Sequence, residues 1–333
     1  MNVLYEVSDL RVDMALPGDL LSALLPFRRP VINILNGITL TLNRGETLGI
    51  VGESGSGKTT LARTMLGLVP ASGGQLRFDG ETVGPAQIRR LRRETAMMFQ
   101  DAVASLSPRM RVGDLITEPF VIHGPAPANR QARAGEMLAR VGLPPAMADR
   151  YPHELSGGQA RRVSVARALA LDPALVIADE PTAGLDVSIQ GEILNLLSDL
   201  KESRGVSFLI ITHNLAVVRN TADRIAILYL GRLVETGPAA EVFARPAHPY
   251  TASLIASEPD PDPRRRRADL AIKGEIPGLL RRPKGCEFHS RCPRAMSLCR
   301  ETRPALREIA PGRSVSCHLA VPDFPDLPIN RAN

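Results

Sequence analysis

The sequence predicts an α/β fold built on a mostly parallel sheet with helices packed against it. Residues 46–51 form a short apolar run that ends at Gly52, and a glycine-rich loop and then helical spacing over residues 58–68 follow. Residues 174–178 and 208–212 are continuous apolar runs, which are typical of strands buried on both faces of a parallel sheet.

The remaining elements follow from local periodicity. Alternating apolar and polar side chains predict half-buried strands near the N-terminus, and 3.6-residue spacing predicts four further helices. The strands are placed at residues 3–12, 37–42 and 95–99, and the helices at residues 112–123, 128–141, 158–170 and 187–203. We therefore expect a main domain over residues 1–258, with a helical subdomain at about 101–156, and a linker with a small irregular region over 259–333.

Composition limits the class of protein. No apolar run approaches the ~20 residues of a membrane-spanning helix, and the N-terminus lacks the layout of a secretory signal. From Asp260 onward the chain has 15 Lys or Arg against 9 Asp or Glu, whereas residues 1–259 carry 26 of each. A neutral main domain argues against nucleic-acid binding, so no nucleic-acid partner is expected. The basic run at residues 264–267 is interpreted as a solvated linker, with contact to lipid headgroups or to nucleic acid as the alternatives.

A phosphate-binding loop is the most specific motif. The pattern G-x-x-x-x-G-K-[ST] lies between a predicted strand and a predicted helix, where backbone N–H groups and the helix N-terminus attract phosphate. We expect Lys58 to reach the β- and γ-phosphates of a nucleoside triphosphate and Thr59 to ligate Mg²⁺. The predicted loop residues are Gly52, Glu53, Ser54, Gly55, Ser56, Gly57, Lys58, Thr59 and Thr60.

Two acidic residues end the apolar run at residues 175–178. Asp179 is placed to hold Mg²⁺, and Glu180 to orient and deprotonate the attacking water, because phosphoryl transfer depends mainly on positioning and charge stabilisation. Two solvated acids at a strand end would be the alternative without the phosphate loop. Together, the two motifs predict ATP hydrolysis.

A second anion cradle stands at residues 155–159, Leu-Ser-Gly-Gly-Gln, at the start of a predicted helix. With one phosphate loop in the chain, a second cradle is explained if it serves a partner's nucleotide. Over residues 1–258 the order of motifs resembles the ATP-binding cassette (ABC) family, including Gln100 after a strand, Ala183-Gly184-Leu185-Asp186 and His213.

This resemblance implies an ABC nucleotide-binding domain: a P-loop NTPase core with an antiparallel β subdomain and an inserted helical subdomain. It implies that two such domains sandwich two nucleotides head to tail. The signature Ser156, Gly157, Gly158 and Gln159, together with Asp186, would then act on the partner's nucleotide. Gln100 would sense Mg²⁺ and water, and His213 would contact the γ-phosphate.

Other segments resemble ATPases of oligopeptide and dipeptide transporters: residues 100–110, 150–154, 183–190 and 248–251, and the cysteine-containing tail. Two features resemble the F-type member of the usual pair of unlike ATPases. They are the insertion before Ile32 and the segment Tyr229-Leu230-Gly231. The resemblance implies an importer at the cytoplasmic face of the inner membrane, with two permease subunits, a second ATPase and an extracytoplasmic solute-binding protein. A soluble ABC ATPase of DNA repair or translation is the rival interpretation.

Four cysteines, Cys286, Cys292, Cys299 and Cys317, follow the spacing C-x5-C-x6-C-x17-C. Thiolate ligation suits a [4Fe–4S] cluster, which some relatives are thought to carry, and zinc or free thiols are the alternatives. His289 and His318 are candidate substitute ligands.

The adenine contact is the departure from the family pattern. Family members usually stack an aromatic residue from the N-terminal strands on the ring, whereas this chain has Val12-Asp13-Met14 there. Tyr5, Phe27 and the Met14 thioether are the candidates.

Overall fold

The computed structural model describes residues 2–15, 31–258 and 274–320. By contacts the chain divides into two units, each assembled from separate stretches. The first unit comprises Met1–Tyr5, Leu42–Thr47 and Arg77–Thr212, and the second Glu6–Thr41, Leu48–Leu76 and His213–Asn333. The predicted domain boundary at residue 258 stays a prediction.

The described part of the first unit contains three parallel strands in the order β8-β7-β6 and five α-helices. Its strands are β6 (Thr95–Met98), β7 (Leu175–Asp179) and β8 (Ser207–Thr212). Its helices are α2 (Ile88–Glu94), α3 (Val112–His123), α4 (Arg130–Arg140), α5 (Gly157–Ala168) and α6 (Val187–Arg204). Every residue of β7 and β8 is buried, as their uninterrupted apolar runs predicted.

The second unit contains the strand order β11-β12-β10-β9-β3. Its strands are β3 (Thr47–Val51), β9 (Arg224–Tyr229), β10 (Arg232–Pro238), β11 (Arg307–Ala310) and β12 (Arg313–Val315). Its helices are α1 (Lys58–Met65), α7 (Leu215–Thr221), α8 (Ala239–Ala244), α9 (Pro249–Ala256) and α10 (Ser297–Glu301). Strand β3 runs parallel to β9, and β10 runs antiparallel to both β9 and β12.

A four-stranded sheet has the order β2-β1-β4-β5. Its strands are β1 (Val3–Ala15), β2 (Val31–Asn43), β4 (Gly73–Phe78) and β5 (Glu81–Thr82), of which β4 and β5 are antiparallel. Both long strands alternate buried and exposed side chains along much of their length, as predicted for strands with one face on a core.

The sequence predicted helices and strands well and the tail less well. Helix α3 has its predicted bounds, and α4, α5 and α6 lie within a few residues of theirs. Much of the described tail, residues 274–320, lacks regular secondary structure, but it also contains two short strands that were not predicted, β11 and β12, and β12 pairs with β10. Strands of three and four residues carry too little periodicity to be recognised in a sequence.

None of the helices in the described part of the chain combines the length and hydropathy of a membrane span.

Candidate functional site

The phosphate loop lies in the second unit, between β3 and α1, as predicted. Gly52 is fully enclosed: a Cβ there would stand 2.2 Å from the Leu228 carbonyl oxygen. Gly55 and Gly57 have φ values of +78° and +100°, a backbone conformation that residues other than glycine rarely adopt. The glycines are therefore required by the path of the backbone, which curls so that its N–H groups can converge on an anion.

The ammonium group of Lys58 is buried at the base of this loop. Its Nζ donates to the Gly52 carbonyl oxygen at 2.7 Å and to the Glu53 carbonyl oxygen at 2.9 Å. Thr59 and Thr60 occupy the first turn of α1 directly after it. The arrangement places a cation and two hydroxyl groups at a helix N-terminus, which favours phosphate.

Asp179 and Glu180 lie in the first unit at the carboxyl end of β7, and both are buried. Glu180 has a φ of +50°, which is uncommon outside glycine and marks a constrained position. Its N–H donates to the Ile211 carbonyl oxygen at 2.7 Å, and its carboxylate accepts from the Thr212 hydroxyl at 3.0 Å. Strand β8 thus fixes both the backbone and the side chain of the predicted general base.

Gln100 is exposed just after β6. The backbone carbonyl oxygen of Gln100 accepts a hydrogen bond from the Arg161 guanidinium at 2.8 Å, and the same guanidinium donates to the backbone carbonyl oxygens of Phe99 and Ala183. Arg161 is buried, and burial lowers its pKa. One buried cation of α5 therefore holds the segment that carries Gln100 and the turn that follows Glu180.

The signature residues form a capping box at the start of α5. Ser156 accepts from the Gln159 N–H at 3.3 Å, and the Gln159 side chain accepts from the Ser156 N–H at 3.0 Å. Ser156 and Gly157 are exposed. Asp186 caps α6 in the same way by accepting from the Ile189 N–H at 2.9 Å. The two motifs predicted to face a partner ATPase, Ser156–Gln159 and Asp186, therefore stand at the exposed N-termini of α5 and α6.

His213 follows β8 and is exposed, at the start of the second unit. The next residue, Asn214, accepts from the Ala216 N–H at 3.0 Å and caps α7. The cap fixes the backbone beside the histidine, so His213 stands on a defined turn rather than within a long loop.

Family comparisons agree with these motifs. The ABC transporter family profile matches residues 35–183, and the profile described as "Oligopeptide/dipeptide transporter, C-terminal region" matches residues 234–299. A Sinorhizobium fredii protein, y4tS, named as a peptide ABC transporter ATP-binding protein, is 45% identical over 88% of this chain and 84% of its own. A Brucella abortus protein named as a peptide import ATP-binding protein is 47% identical over 87% and 88%.

The chain belongs to the ATP-binding subunits of ABC transporters. Among solved structures, the ATP-binding cassette MJ0796, as a dimer bound to ADP and Pi, aligns with a TM-score of 0.62 at 26% identity. That alignment covers 71% of this chain and 99% of the MJ0796 chain. CbiO1 of Clostridium perfringens aligns with the same score at 28% identity, over 73% and 92%. The predicted ABC nucleotide-binding fold is confirmed, and the protein is an ABC-type ATPase.

The adenine candidates of this ABC ATPase can be reduced. Tyr5 is fully buried, with its ring 5.8 Å from that of Phe78, so the ring belongs to the core and Tyr5 is removed from the three candidates. Met14 is 46% exposed and stays a candidate. Phe27 lies outside the described residues.

The prediction of a [4Fe–4S] cluster finds no support in the ABC ATPase. All four cysteines are described, and residues 2–15, 31–258 and 274–320 contain no group of three or more His, Cys, Asp or Glu placed to hold a metal ion. Burial raises the pKa of Cys286 to about 12 and that of Cys292 to about 11. Within these ranges, neither the four cysteines alone nor the cysteines together with His289 and His318 form a metal-binding group.

Three residues of the ABC ATPase that contact the predicted site were not found from the sequence: Thr212, Arg161 and Arg291. Thr212 stands beside His213, so a hydroxyl group at the end of a buried strand was an available signal. Arg161 and Arg291 had none, since a basic residue in a helix or a basic tail is ordinarily solvated.

Proposed function

We propose that this ABC ATPase hydrolyses ATP to drive the import of peptides or a related small solute across a membrane. The match of residues 234–299 to the oligopeptide/dipeptide transporter C-terminal region carries the proposal, because that region is separate from residues 35–183, which match the general ABC transporter family. The names of the relatives support the same function. The soluble DNA-repair or translation ATPase is not favoured.

The catalytic roles rest on the geometry of each unit. Gly52 to Thr60 would hold the phosphates of ATP, with Lys58 turning from its carbonyl partners toward the β- and γ-phosphates. Thr59, Gln100 and Asp179 would hold Mg²⁺, which supplies charge neutralisation at the transferred phosphoryl group. Glu180 would accept the proton of the attacking water, and His213 would contact the γ-phosphate.

The assembly is part of the proposal. Ser156, Gly157, Gly158, Gln159 and Asp186 would act on the nucleotide of a second ATPase, with this chain as the F-type member of an unlike pair. The exposed N-terminus of α5 supports this role, because the positive end of a helix dipole favours an anion, and Asp186 is exposed at the start of α6. Two permease subunits and an extracytoplasmic solute-binding protein would complete an importer, with the ATPase bound peripherally at the cytoplasmic face of the inner membrane.

The test is a Glu180→Gln variant in the transporter reconstituted with its permeases, with Glu202→Gln, an exposed carboxylate on α6, as the control. We expect Glu180→Gln to bind ATP at wild-type affinity and to lose at least about a hundredfold in kcat. Glu202→Gln should turn over normally. Wild-type turnover by Glu180→Gln would refute the assigned base.

The substrate class is tested separately. Proteoliposomes carrying the assembled transporter should accumulate a labelled di- or oligopeptide in an ATP-dependent manner when the binding protein is present. ATP hydrolysis that responds to a sugar or a metal chelate and not to peptides would keep the ATPase assignment and reject peptide import.

A further inference from the structure

An ion pair joins the phosphate loop to the cysteine-containing tail. The two guanidinium nitrogens of Arg291 donate to the two carboxylate oxygens of Glu53, at 2.6 and 2.9 Å. The Arg291 side chain is 5% exposed and that of Glu53 is 24% exposed. A two-pronged contact of this kind fixes both direction and distance, and it is stronger than a single hydrogen bond.

The backbone of Glu53 is held as well. Its N–H donates to the phenol oxygen of Tyr250 at 3.0 Å. Arg291 also lies 3.3 Å from the phenol oxygen of Tyr229, and the rings of Tyr229 and Tyr250 are 4.7 Å apart. Backbone and side chain of one loop residue are therefore fixed by a single cluster of three side chains.

That cluster is built on a rigid support. Phe288 is 1% exposed and packs its ring 5.4 Å from Tyr229 and 5.3 Å from Tyr250. The Arg291 N–H donates to the Phe288 carbonyl oxygen at 3.0 Å, so a tight turn connects the packed ring to the guanidinium. The position of Arg291 thus depends on the core of the second unit rather than on the freedom of a long side chain.

Charge gives the contact a role in nucleotide binding. Glu53 places a carboxylate within a loop that must accept a triphosphate, and like charges at short range repel strongly in a partly buried site. A matching cation removes that repulsion and keeps the carboxylate turned toward the tail. We propose that Arg291 is a positioning residue, which holds the phosphate loop in its ATP-binding form by fixing Glu53 and cancelling its charge.

The proposal deepens the ATP-binding role assigned to the loop and rests on it. ATP affinity is measured with the full chain by titration calorimetry, in wild type, Arg291→Met, Glu53→Gln and the double variant. We expect Arg291→Met to weaken ATP binding about tenfold when residue 53 is Glu, and less than about twofold when residue 53 is Gln. If Arg291 acted through packing alone and not through Glu53, Arg291→Met would lower the ATP affinity equally with Glu and with Gln at position 53.

Two further variants make the result specific. Arg294→Met, an exposed arginine three residues along the same segment, should bind ATP as wild type does. Arg291→Lys keeps the charge without the fork and should recover part of the affinity. If Arg291→Met does not fold, as judged by thermal melting, Arg291→Lys against Arg294→Met still decides, because equal affinity in the two would reject a positioning role.

The Lys58→Ala variant distinguishes a failure of this proposal from a failure of the proposed ATPase function. If Lys58→Ala binds ATP as tightly as wild type, the loop is not the ATP site and the proposed function fails. If Lys58→Ala abolishes binding while Arg291→Met leaves it unchanged, the ATPase assignment stands and only the role of Arg291 is rejected.

Discussion

The hydroxyl group of Thr212 donates a hydrogen bond of 3.0 Å to the carboxylate of Glu180, and both side chains are buried. One carboxylate oxygen of the proposed base therefore has a fixed direction before any nucleotide arrives. Preorganisation of this kind lowers the cost of aligning the attacking water.

Replacing Thr212 by Val should reduce kcat about tenfold, equivalent to about 1.4 kcal/mol in the activation free energy, with KM for ATP nearly unchanged. The shape of the side chain is kept, and only the donor is lost. Thr212→Ser keeps the hydroxyl group and should retain most of the activity. A parallel fall in both variants would show that packing, rather than the hydrogen bond, is responsible.

Arg161→Met should destabilise the first unit by about 3 kcal/mol, because three partly buried backbone carbonyl groups lose a charged donor that is itself buried. The loss is measured as a shift of the denaturant midpoint in the isolated subunit. Because two of those carbonyls belong to Phe99 and Gln100, kcat should fall as well. Arg109→Met, an exposed arginine of the same unit, should leave the midpoint unchanged.

Gly231 supports the phosphate loop from outside. Its N–H donates to the Ser56 carbonyl oxygen at 2.8 Å, and a Cβ at this position would stand 1.8 Å from the Ile34 carbonyl oxygen. Gly231→Ala should therefore cost at least about 3 kcal/mol in the free energy of unfolding and weaken ATP binding.

Gly45 is the matched control for that change. It has a φ of +68°, close to the +72° of Gly231, but a Cβ there would meet nothing within 4 Å. Gly45→Ala should cost only the left-handed strain, roughly 1–2 kcal/mol. Equal losses at the two positions would show that backbone strain, and not the contact with Ile34, governs Gly231.

His248 makes the second unit sensitive to acid. The side chain is 1% exposed, and burial lowers its pKa from the ordinary 6.5 to about 3. Between those values the unfolded chain binds a proton that the folded chain does not. Stability therefore falls as the pH falls through this window, by up to about 1.4 kcal/mol per pH unit.

His248→Asn should reduce that dependence. The imidazole Nδ1 accepts from the Tyr250 N–H at 3.0 Å and caps α9, and Asn can supply the same cap without a titrating group. Urea midpoints at pH 7.5, 6 and 5 should change less in His248→Asn than in wild type. His153→Asn, at an exposed histidine, should keep the wild-type slope, and an unchanged slope in His248→Asn would reject the assignment.

Local chemistry explains what was predictable. Helix α3 was placed correctly because its apolar spacing ends at Gly124 and Pro125, and the phosphate loop because glycine, lysine and threonine must occur at fixed spacing. Strand β7 was placed because it is buried on both faces. Each signal is contained within about a dozen consecutive residues.

Contacts between distant parts of the chain explain the rest. Glu53 and Arg291 are separated by 238 positions, and neither position differs in local pattern from a solvated charge. The strand pairing of Glu235 with Val315 depends on two short segments whose periodicity is too weak to recognise. Tyr5 was one of three candidates for the adenine contact because an aromatic residue on a strand has the same sequence pattern whether its ring faces a ligand or the core.

The pairing of β12 with β10 also determines what a shortened protein would show. In the order β11-β12-β10-β9, removing everything after residue 258 leaves the outer side of β10 as a row of unsatisfied amide and carbonyl groups. An uncovered strand edge is a template for pairing with another molecule. A truncated subunit is therefore expected to self-associate. Loss of activity in such a sample would result from aggregation of the shortened chains and would not show that the missing cysteines have a catalytic role.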